Sequence, residues 1–381
     1  MVRQVLSNVR SHYVSTDEPP RMEAPLISAS PEIPTLQPGY PPTAEWLIRQ
    51  WEHARAKASE LAGDGLFVLA IDEIQKIPRW SETVKGLWDA DRAANLNLHV
   101  ILLGSAPLLM QQGLTESLAG RYELIPMTHW SYTEMRDAFD FTLNEYIYFG
   151  GYPGTAHFRY EESRWRAHVR DALVNPNIQK DILQMTRVDK PALLRSLFEL
   201  GCHYSGQIIS YTKLVGQLQD AGNTTTLAHY LQLLSQAGLL AGLEKFAGQK
   251  HRRRASSPKL QVLNTALISA QGEYTFEEAQ ADRSFWGRLV ESAIGAHLCN
   301  STTSEIQVQY WREGAHEVDF ILSRGSRKAA LEVKSGQKSI NAKGVAVFQK
   351  MYPECSFQIV GTQGIPLDEF LAQPADYWLE S

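Results

Sequence analysis

The stretch LFVLAIDE, residues 66–73, decides the fold of the first part of the chain. Its six leading apolar residues are typical of a strand that is buried on both faces of a sheet. A segment with helical spacing follows at residues 80–94, and a second apolar run, HVILL, lies at residues 99–103. A strand, a helix and a second strand at this spacing predict a βαβ unit, and therefore a parallel sheet.

Two carboxylates, Asp72 and Glu73, follow the first apolar run directly. Ligands of open parallel sheets bind at the carboxyl ends of the strands. An Asp at this place can hold a magnesium ion, and a neighbouring Glu can polarise the water that attacks a phosphate. The pair therefore predicts a Walker B motif, with Asp72 as metal ligand and Glu73 as catalytic residue. A strand that ends in an ordinary polar turn has the same pattern, so the spacing alone leaves that alternative open.

The second apolar run ends in Gly104 and Ser105, where a small polar side chain can sense the terminal phosphate of a nucleotide. Further along, the segment SLAGR contains Arg121, a candidate arginine finger. Such a finger stabilises the charge of phosphoryl transfer at the nucleotide of a neighbouring subunit. A surface arginine in a salt bridge is the alternative interpretation of Arg121.

Three segments in this order, LAIDEIQKIPRW, ILLGSA and SLAGRYELIPM, resemble a bacterial and archaeal AAA-type ATPase family that carries a C-terminal domain of unknown function. The later segments YIYFGGYPG, WGRLVES and YWREGAHEVDFIL extend the resemblance over nearly the whole chain. The resemblance implies ATP and Mg²⁺ as cofactors. It also implies that Asp72 and Glu73 are the Walker B pair, that Ser105 is the sensor and that Arg121 is the finger.

The phosphate-binding motif of that family is absent from this sequence. Family members have a P-loop, GxxxxGK[ST], before their first helix, whereas these 381 residues contain no Gly-Lys dipeptide. The backbone amides of a P-loop and its lysine supply most of the phosphate binding. We therefore expect an ATPase domain that is truncated at its N-terminus, with a compromised ATP site and an exposed sheet edge.

Two strand-like segments near the C-terminus, EVDF and LEVK, are separated by a Gly-Ser turn and predict a hairpin. Side chains at i and i+2 of a strand share a face, so Glu332 and Lys334 lie together, and pairing can bring Asp319 beside them. Asp319 and Glu332 can then hold Mg²⁺, and Lys334 can activate water against a phosphodiester. The arrangement resembles that of PD-(D/E)xK nucleases, which often add a glutamate from a preceding helix, and this resemblance implies Glu291 as a further catalytic residue.

This order of groups is that of the PD-(D/E)xK nuclease fold and predicts an α/β domain of the restriction-endonuclease type. The alternative is an amphipathic hairpin with Asp, Glu and Lys on its solvent-exposed face. The fold does not by itself imply cleavage, because the resemblance implies relatives that keep it without a demonstrated nuclease activity.

The middle of the chain is predicted to be helical, and residues 224–240 are typical of the second helix of a winged helix-turn-helix. A basic arm, Lys250, Arg252, Arg253 and Arg254, follows where a wing would lie. Clustered arginines bind phosphate backbones without reading sequence. A packing module with a solvated basic loop is the alternative, and the net charge of −5 favours it.

Composition excludes several classes of protein. Three widely spaced cysteines without a CxxC pair argue against a disulfide framework or a zinc site, and they fit a reducing cytoplasm. No apolar run approaches the roughly 18 residues of a membrane span. We therefore expect a cytoplasmic protein without a membrane partner.

We predict three domains, namely a truncated AAA-type domain at 1–145, a helical winged-helix-like domain at 146–265 and a nuclease-like domain at 266–381. Residues 19–42 contain eight prolines and are interpreted as an extended insert or linker, since they can hold neither a helix nor a central strand. The predicted function is action on nucleic acid, with DNA and further copies of the chain as partners. A non-catalytic regulatory protein, in which the nuclease-like domain is a scaffold, is the alternative.

Overall fold

The computed structural model describes residues 26–29, 43–60, 67–104, 110, 113–114, 117–182, 188–218, 223–247, 256–303, 305–336, 342–362 and 364–380. The chain divides into two compact units, residues 1–127 and 128–381. The predicted boundaries near 145 and 265 therefore both lie inside the second unit. No helix among the described residues is long and apolar enough to cross a membrane.

The first unit contains a parallel sheet with the described strands in the order β1-β2-β3. Its elements are β1 (Leu26–Ala29), α1 (Ala44–Glu60), β2 (Phe67–Ile71), a 3₁₀ turn (Ile74–Lys76), α2 (Trp80–Ala93) and β3 (Leu98–Leu102). The predicted βαβ unit is confirmed, and its strands agree with the prediction to within one residue. β2 is buried along its whole length, whereas β3 is mostly half-exposed and pairs on one side only within the described sheet.

The strand β1 corrects the interpretation of residues 19–42 as an extended insert or linker, although it is not a central strand of the described sheet. It occupies the four residues Leu26–Ala29, between Pro25 and Pro31. Four residues without proline are sufficient to donate and accept the hydrogen bonds of a short ladder. β1 pairs with β2 alone among the described strands, and this edge position is where prolines on either side are tolerated.

The core of the first unit is built by tryptophans that cover the central strand. Trp46 and Trp51 of α1 and Trp80 of α2 are buried in the same cluster as β2. One buried charge fixes α1 against α2, because Asp91 accepts a hydrogen bond of 2.6 Å from the Trp51 indole and one of 2.5 Å from Arg55. The Asp91 carboxylate therefore holds α1 and α2 together within this unit.

The second unit combines a helical layer with a six-stranded mixed sheet in the order β5-β4-β6-β7-β8-β9. Its strands are β4 (Leu240–Lys245), β5 (Lys259–Val262), β6 (Gln307–Glu313), β7 (His316–Arg324), β8 (Arg327–Lys334) and β9 (Ser356–Gly361). Its α-helices are α3 (Tyr132–Phe139), α4 (Leu143–Phe149), α5 (Glu162–Ala167), α6 (Pro191–His203), α7 (Tyr211–Gln217), α8 (Thr224–Gln236), α9 (Ala266–Gln271), α10 (Phe276–Ala281), α11 (Arg283–Ser301), α12 (Ala342–Met351), α13 (Leu367–Leu371) and α14 (Ala375–Glu380). A 3₁₀ segment (Pro153–Phe158) and two π-helical segments (His168–Val174 and Asn177–Ile182) complete it.

The sheet explains why residues 128–381 form one unit. β4 and β5 come from the predicted middle domain, and β4 pairs in parallel with β6 of the predicted nuclease-like domain. The two strands predicted near the C-terminus are confirmed as β7 and β8, and together with β6 they form an antiparallel meander. β9 then joins β8 in parallel after the α12 crossover. One continuous sheet and one core therefore cross the position of the predicted boundary near 265.

The long helix α11 is packed on the inner face of this sheet. Asp282 caps its first turn by accepting hydrogen bonds from the backbone N–H groups of Ser284 and Phe285. Gly295 lies so close to β5 that a Cβ atom would stand 2.1 Å from the side-chain oxygen of Gln261 and 2.8 Å from the Phe320 ring. The glycine therefore permits the close approach that brings Glu291, one turn earlier, over the sheet.

Candidate active site

The carboxylates that follow β2 lie at the carboxyl end of the strand, and their partners are close in sequence. Asp72 accepts a hydrogen bond of 3.0 Å from the backbone N–H of Glu73. Glu73 adopts a left-handed backbone conformation with φ of 54°. Its carboxylate accepts a hydrogen bond from Gln75 at 2.9 Å and forms a 3.3 Å ion pair with Lys76. The pair thus stands at the predicted place, within a turn that supplies its own partners.

Arg121 is engaged within its own unit. Its guanidinium forms a 3.1 Å ion pair with Asp89, and its centre lies 5.8 Å from the centre of the Trp88 ring. About a third of the Arg121 side chain is exposed, so this pair is a surface pair. The predicted sensor, Ser105, lies outside the described residues.

In the second unit, the hairpin of β7 and β8 brings three predicted residues to one place. The strands pair as far as Phe320 and Leu331. Beyond that pair, the Asp319 carboxylate accepts a hydrogen bond of 2.8 Å from the backbone N–H of Val333. Lys334 donates a hydrogen bond of 2.6 Å to Glu332, which confirms that these two side chains share a face of β8.

Glu291 reaches the same place from α11, and it meets a residue that the sequence analysis missed. Lys259, at the start of β5, forms an ion pair of 2.6 Å with Glu291 and one of 3.6 Å with Asp319. Its ammonium group also donates a hydrogen bond of 3.1 Å to the backbone oxygen of Asp319. We call Lys259, Glu291, Asp319, Glu332 and Lys334 the carboxylate–lysine cluster. The only sequence signal for Lys259 is a charged residue at the head of the apolar run KLQVL.

The electrostatics of the cluster follow from its burial. Burial raises the pKa of Glu332, and the carboxylate of Asp319 raises it further, while Lys334 acts in the opposite direction. Burial likewise raises the pKa of Glu291 to about 7, although Lys259 lowers it. For both lysines, burial disfavours the charged form, but the neighbouring carboxylates prevail and raise the pKa. Burial therefore favours the neutral form of the two glutamates, whereas the neighbouring carboxylates favour the charged form of both lysines.

The fit of a divalent cation depends on which carboxylate oxygens are free. In the described part of the chain, no group of three or more His, Cys, Asp or Glu side chains is arranged to hold a metal ion. Glu291 is occupied by Lys259. Two buried carboxylate oxygens, Glu291 Oε1 and Glu332 Oε2, have no hydrogen-bond partner among the described residues, but Glu291 Oε1 lies 2.6 Å from the Lys259 ammonium group, which leaves Glu332 Oε2 without a cation. Mg²⁺ is commonly held by one or two carboxylates with water completing its shell, so Asp319 and Glu332 fit this ion and Glu291 does not.

The predicted nucleic-acid arm, Lys250, Arg252, Arg253 and Arg254, lies outside the described residues. The elements around it are described. Asn223 caps α8 by accepting a hydrogen bond of 2.9 Å from the backbone N–H of Thr226. After α8, the strands β4 and β5 pair antiparallel, and the arm belongs to the connection between them. A helix followed by an antiparallel pair of strands is compatible with a winged helix, and the winged-helix interpretation stays a prediction.

Comparisons with known families divide the chain into three matched parts. Residues 43–136 match the model of an AAA domain. Residues 140–276 and 286–370 match two models that are each described as a domain of unknown function, DUF8612 and DUF4143. The resemblance to AAA-type proteins with a C-terminal domain of unknown function is thereby confirmed at the level of these domains. The carboxylate–lysine cluster draws Lys259 from the second matched part and its other four residues from the third.

Similar whole proteins add little about activity. Two uncharacterized proteins, from Mycobacterium bovis and Mycobacterium tuberculosis, are each 25% identical over 319 residues, which is 81% of this chain and 68% of theirs. A Walker-type ATPase of Pyrococcus abyssi aligns over 65% of this chain and 84% of its own, with 16% identity and a TM-score of 0.40. The Orc1 protein of Aeropyrum pernix, solved in complex with DNA, aligns over 72% and 82%, with 11% identity and a TM-score of 0.26.

Proposed function

We propose that the chain acts on the phosphodiester backbone of nucleic acid through the carboxylate–lysine cluster. The observation that carries this proposal is the convergence of Asp319, Glu332 and Lys334 from two paired strands, where Glu332 Oε2 has no hydrogen-bond partner in the part of the chain that the structure describes. Two carboxylates beside a lysine are the donor set of a magnesium-dependent phosphodiesterase. This second unit would then be a PD-(D/E)xK-type nuclease.

Each side chain has a task that follows from its surroundings. Asp319 and Glu332 would hold Mg²⁺, which when bound supplies a Lewis acid and lowers the pKa of its water. Lys334 is about one-fifth exposed, so its ammonium can turn from Glu332 towards a phosphate oxygen or a water molecule. The backbone N–H of Val333 keeps the Asp319 carboxylate oriented. Glu291, paired with Lys259, acts as a positioning residue for the cluster.

A cleavage assay with Mg²⁺ and with both single- and double-stranded DNA tests this function. We expect Lys334→Ala to reduce the cleavage rate by about a hundredfold or more, the usual contribution of a group that transfers or orients a proton. Lys328→Ala is the matched control, because Lys328 lies on the same strand and pairs with Glu354 at the surface. Its rate should stay that of the native chain.

Absence of cleavage by the native chain, or equal rates for the native chain and Lys334→Ala, contradicts the nuclease proposal. The second candidate function, a regulatory protein with a nuclease-like scaffold, then takes its place. The observation that favours this candidate is that both lysines of the cluster are already paired with carboxylates.

For the first unit, we propose an AAA-type module that contributes no ATP hydrolysis in this chain. Asp72 and Glu73 stand where a Walker B pair acts on Mg²⁺ and ATP, but the 381 residues contain no Gly-Lys dipeptide to complete a P-loop. We expect an ATP dissociation constant weaker than about 1 mM, because Walker B carboxylates do not replace the phosphate cradle. Calorimetric titration with Mg-ATP measures it, and binding in the micromolar range would contradict this proposal. An Arg121 finger would in addition require an assembly of several copies of the chain.

We also propose that the basic arm contacts the phosphate backbone of DNA. Replacement of Arg252, Arg253 and Arg254 by alanine should weaken DNA binding equally for unrelated sequences. The slope of affinity against salt concentration should fall by about 3, one unit for each lost phosphate contact. Fluorescence anisotropy at several salt concentrations measures both effects, and an unchanged slope would favour the solvated loop.

A further inference from the structure

The ammonium group of Lys259 is enclosed among oxygen atoms. Its side chain is 0% exposed, and its nitrogen lies 2.6 Å from Glu291 Oε1 and 3.6 Å from Asp319 Oδ1. The backbone oxygen of Asp319 accepts a hydrogen bond from it at 3.1 Å. An ammonium group has three N–H donors, and three oxygen atoms surround this one. Lys259 therefore occupies the space between the helix carboxylate and the carboxylate of β7.

The charges around Lys259 limit how many metal ions the cluster can take. Glu317 lies close enough to contribute to the raised pKa of Lys259, so four carboxylates surround two lysines. When all of these groups are ionised, two negative charges remain uncompensated. One divalent cation balances them, whereas a second would leave an excess positive charge in a largely buried site.

We propose that Lys259 is a resident cation of this site, which takes the position of a second divalent ion between Glu291 and Asp319. The site then binds a single ion, on Asp319 and Glu332. This inference rests on the proposed use of the cluster for a divalent cation. It assigns Lys259, from the part of the chain that matches DUF8612, a direct role in the chemistry of the part that matches DUF4143.

Counting bound Mn²⁺ tests the inference without any nucleic acid. The bound ions are counted by calorimetry and by electron paramagnetic resonance. The chain carries Asp72→Ala in all of these measurements, so that the predicted metal ligand after β2 is absent. We expect one Mn²⁺ for the chain with Lys259. In Lys259→Met, whose side chain is similar in length but uncharged, we expect either a second bound ion or an affinity raised roughly tenfold or more.

Thermal unfolding provides a second readout for the same variant. Lys259→Met leaves Glu291 without its partner, so without metal we expect the unfolding temperature to fall by about 10 °C. Saturating Mn²⁺ should restore a large part of this loss, because the ion replaces the missing charge. Lys328→Met, which removes a surface partner of Glu354 on β8, should change neither the count nor the response to Mn²⁺.

Two results would overturn the inference. One is a native count of two Mn²⁺ ions, and the other is a Lys259→Met variant that folds and binds Mn²⁺ like the native chain. If Lys259→Met does not fold, Glu291→Gln provides the test. This variant should still bind one Mn²⁺ ion, and loss of that ion would show that Glu291 is a metal ligand, which contradicts the inference. Cleavage assays are independent of these counts. If the native chain binds one Mn²⁺ ion but does not cleave nucleic acid, the nuclease proposal is contradicted and the role of Lys259 as resident cation is kept. If the native chain binds two ions and cleaves nucleic acid, the nuclease proposal is kept and the role of Lys259 is contradicted.

Discussion

The two groups of carboxylates in this chain are built in opposite ways. The two carboxylates that follow β2 have partners within four residues of them in the chain. Asp72 contacts the next backbone N–H, and Glu73 contacts Gln75 and Lys76. Those of the second unit find theirs across the sheet, since Lys259 and Asp319 are 60 residues apart. A turn is enough to make the first group, whereas the second exists only when α11, β5, β7 and β8 are packed together.

The difference shows in which of the two groups an unpaired charge costs more free energy of folding. Exposed pairs within one turn contribute little free energy and are readily exchanged. Buried charges from distant elements require compensation, and removing one member leaves the others unpaired in a medium of low dielectric constant. Substitutions in the two groups should therefore differ in their effect on the free energy of unfolding, and four tests examine this contrast and the packing around the two groups.

The largest difference is expected between Asp319→Ala and Asp72→Ala. Asp319 binds the backbone N–H of Val333 and pairs with Lys259, so its loss should reduce the free energy of unfolding by about 3 kcal/mol. Asp72 accepts one local hydrogen bond, and its loss should cost less than about 1 kcal/mol. Hydrogen–deuterium exchange, followed separately in β7 and in β2, measures both. Equal effects would remove the distinction between the two groups.

The second test uses pH. The pKa of Glu291 rises from its ordinary value of 4.5 to about 7 in the folded protein, first of all because of burial. The folded chain therefore holds a proton that the unfolded chain releases, and this stabilising contribution is lost as the pH rises from about 4.5 to 7. Relative to Glu291→Gln, the native chain should lose about 2 kcal/mol of stability over that interval. Urea unfolding of both proteins at pH 5 and pH 8 measures the change, and parallel pH profiles would contradict it.

A third contrast compares two helical glycines. Gly295→Ala should reduce stability by about 1–2 kcal/mol, because the new methyl group meets Gln261 and Phe320 beneath the cluster. Gly86, on α2, has no atom within 4 Å of the position of a Cβ. Its replacement by alanine should stabilise the chain by about 0.5–1 kcal/mol. Thermal unfolding distinguishes the opposite signs, and a stabilising Gly295→Ala would show that α11 is less closely packed than described.

The smallest effect is expected for Arg121→Ala. The ion pair with Asp89 is partly exposed on both sides, so its loss should cost less than about 1 kcal/mol and the cost should vanish at high salt. Urea unfolding at low and high ionic strength measures it. A cost of several kcal/mol that persists in salt would place Arg121 in a structural role.

The sequence predicted what local patterns determine. The apolar run before Asp72 and the alternation around Glu332 and Lys334 are properties of neighbouring residues, and the structure confirms both strands. The proximity of Asp319 was also predictable, because one short turn joins its strand to the next. Glu291 was placed near the cluster only through the order of motifs that the family resemblance supplied.

The remaining features depend on the tertiary structure. Lys259 resembles any lysine at the end of a strand until the chain folds and places its ammonium group 3.6 Å from the Asp319 carboxylate, although β4 and β6 lie between β5 and β7 in the sheet. The strand Leu26–Ala29 is defined by its pairing with β2, and its four-residue sequence LISA has no pattern that predicts this pairing. The predicted limit near 265 followed the change from helical to strand-like segments along the chain, whereas the pairing of β4 with β6 continues the sheet across it.

The origin of Lys259 and Glu291 in two separately matched regions has a consequence for inheritance. A recombination event or a deletion near residue 270 would transmit three carboxylates without the ammonium group that compensates them. Such a descendant would have to acquire a new cation or lose an acidic side chain before it could fold well. The charges of the cluster therefore balance only when both regions are present in one chain, even though each region matches a family model by itself.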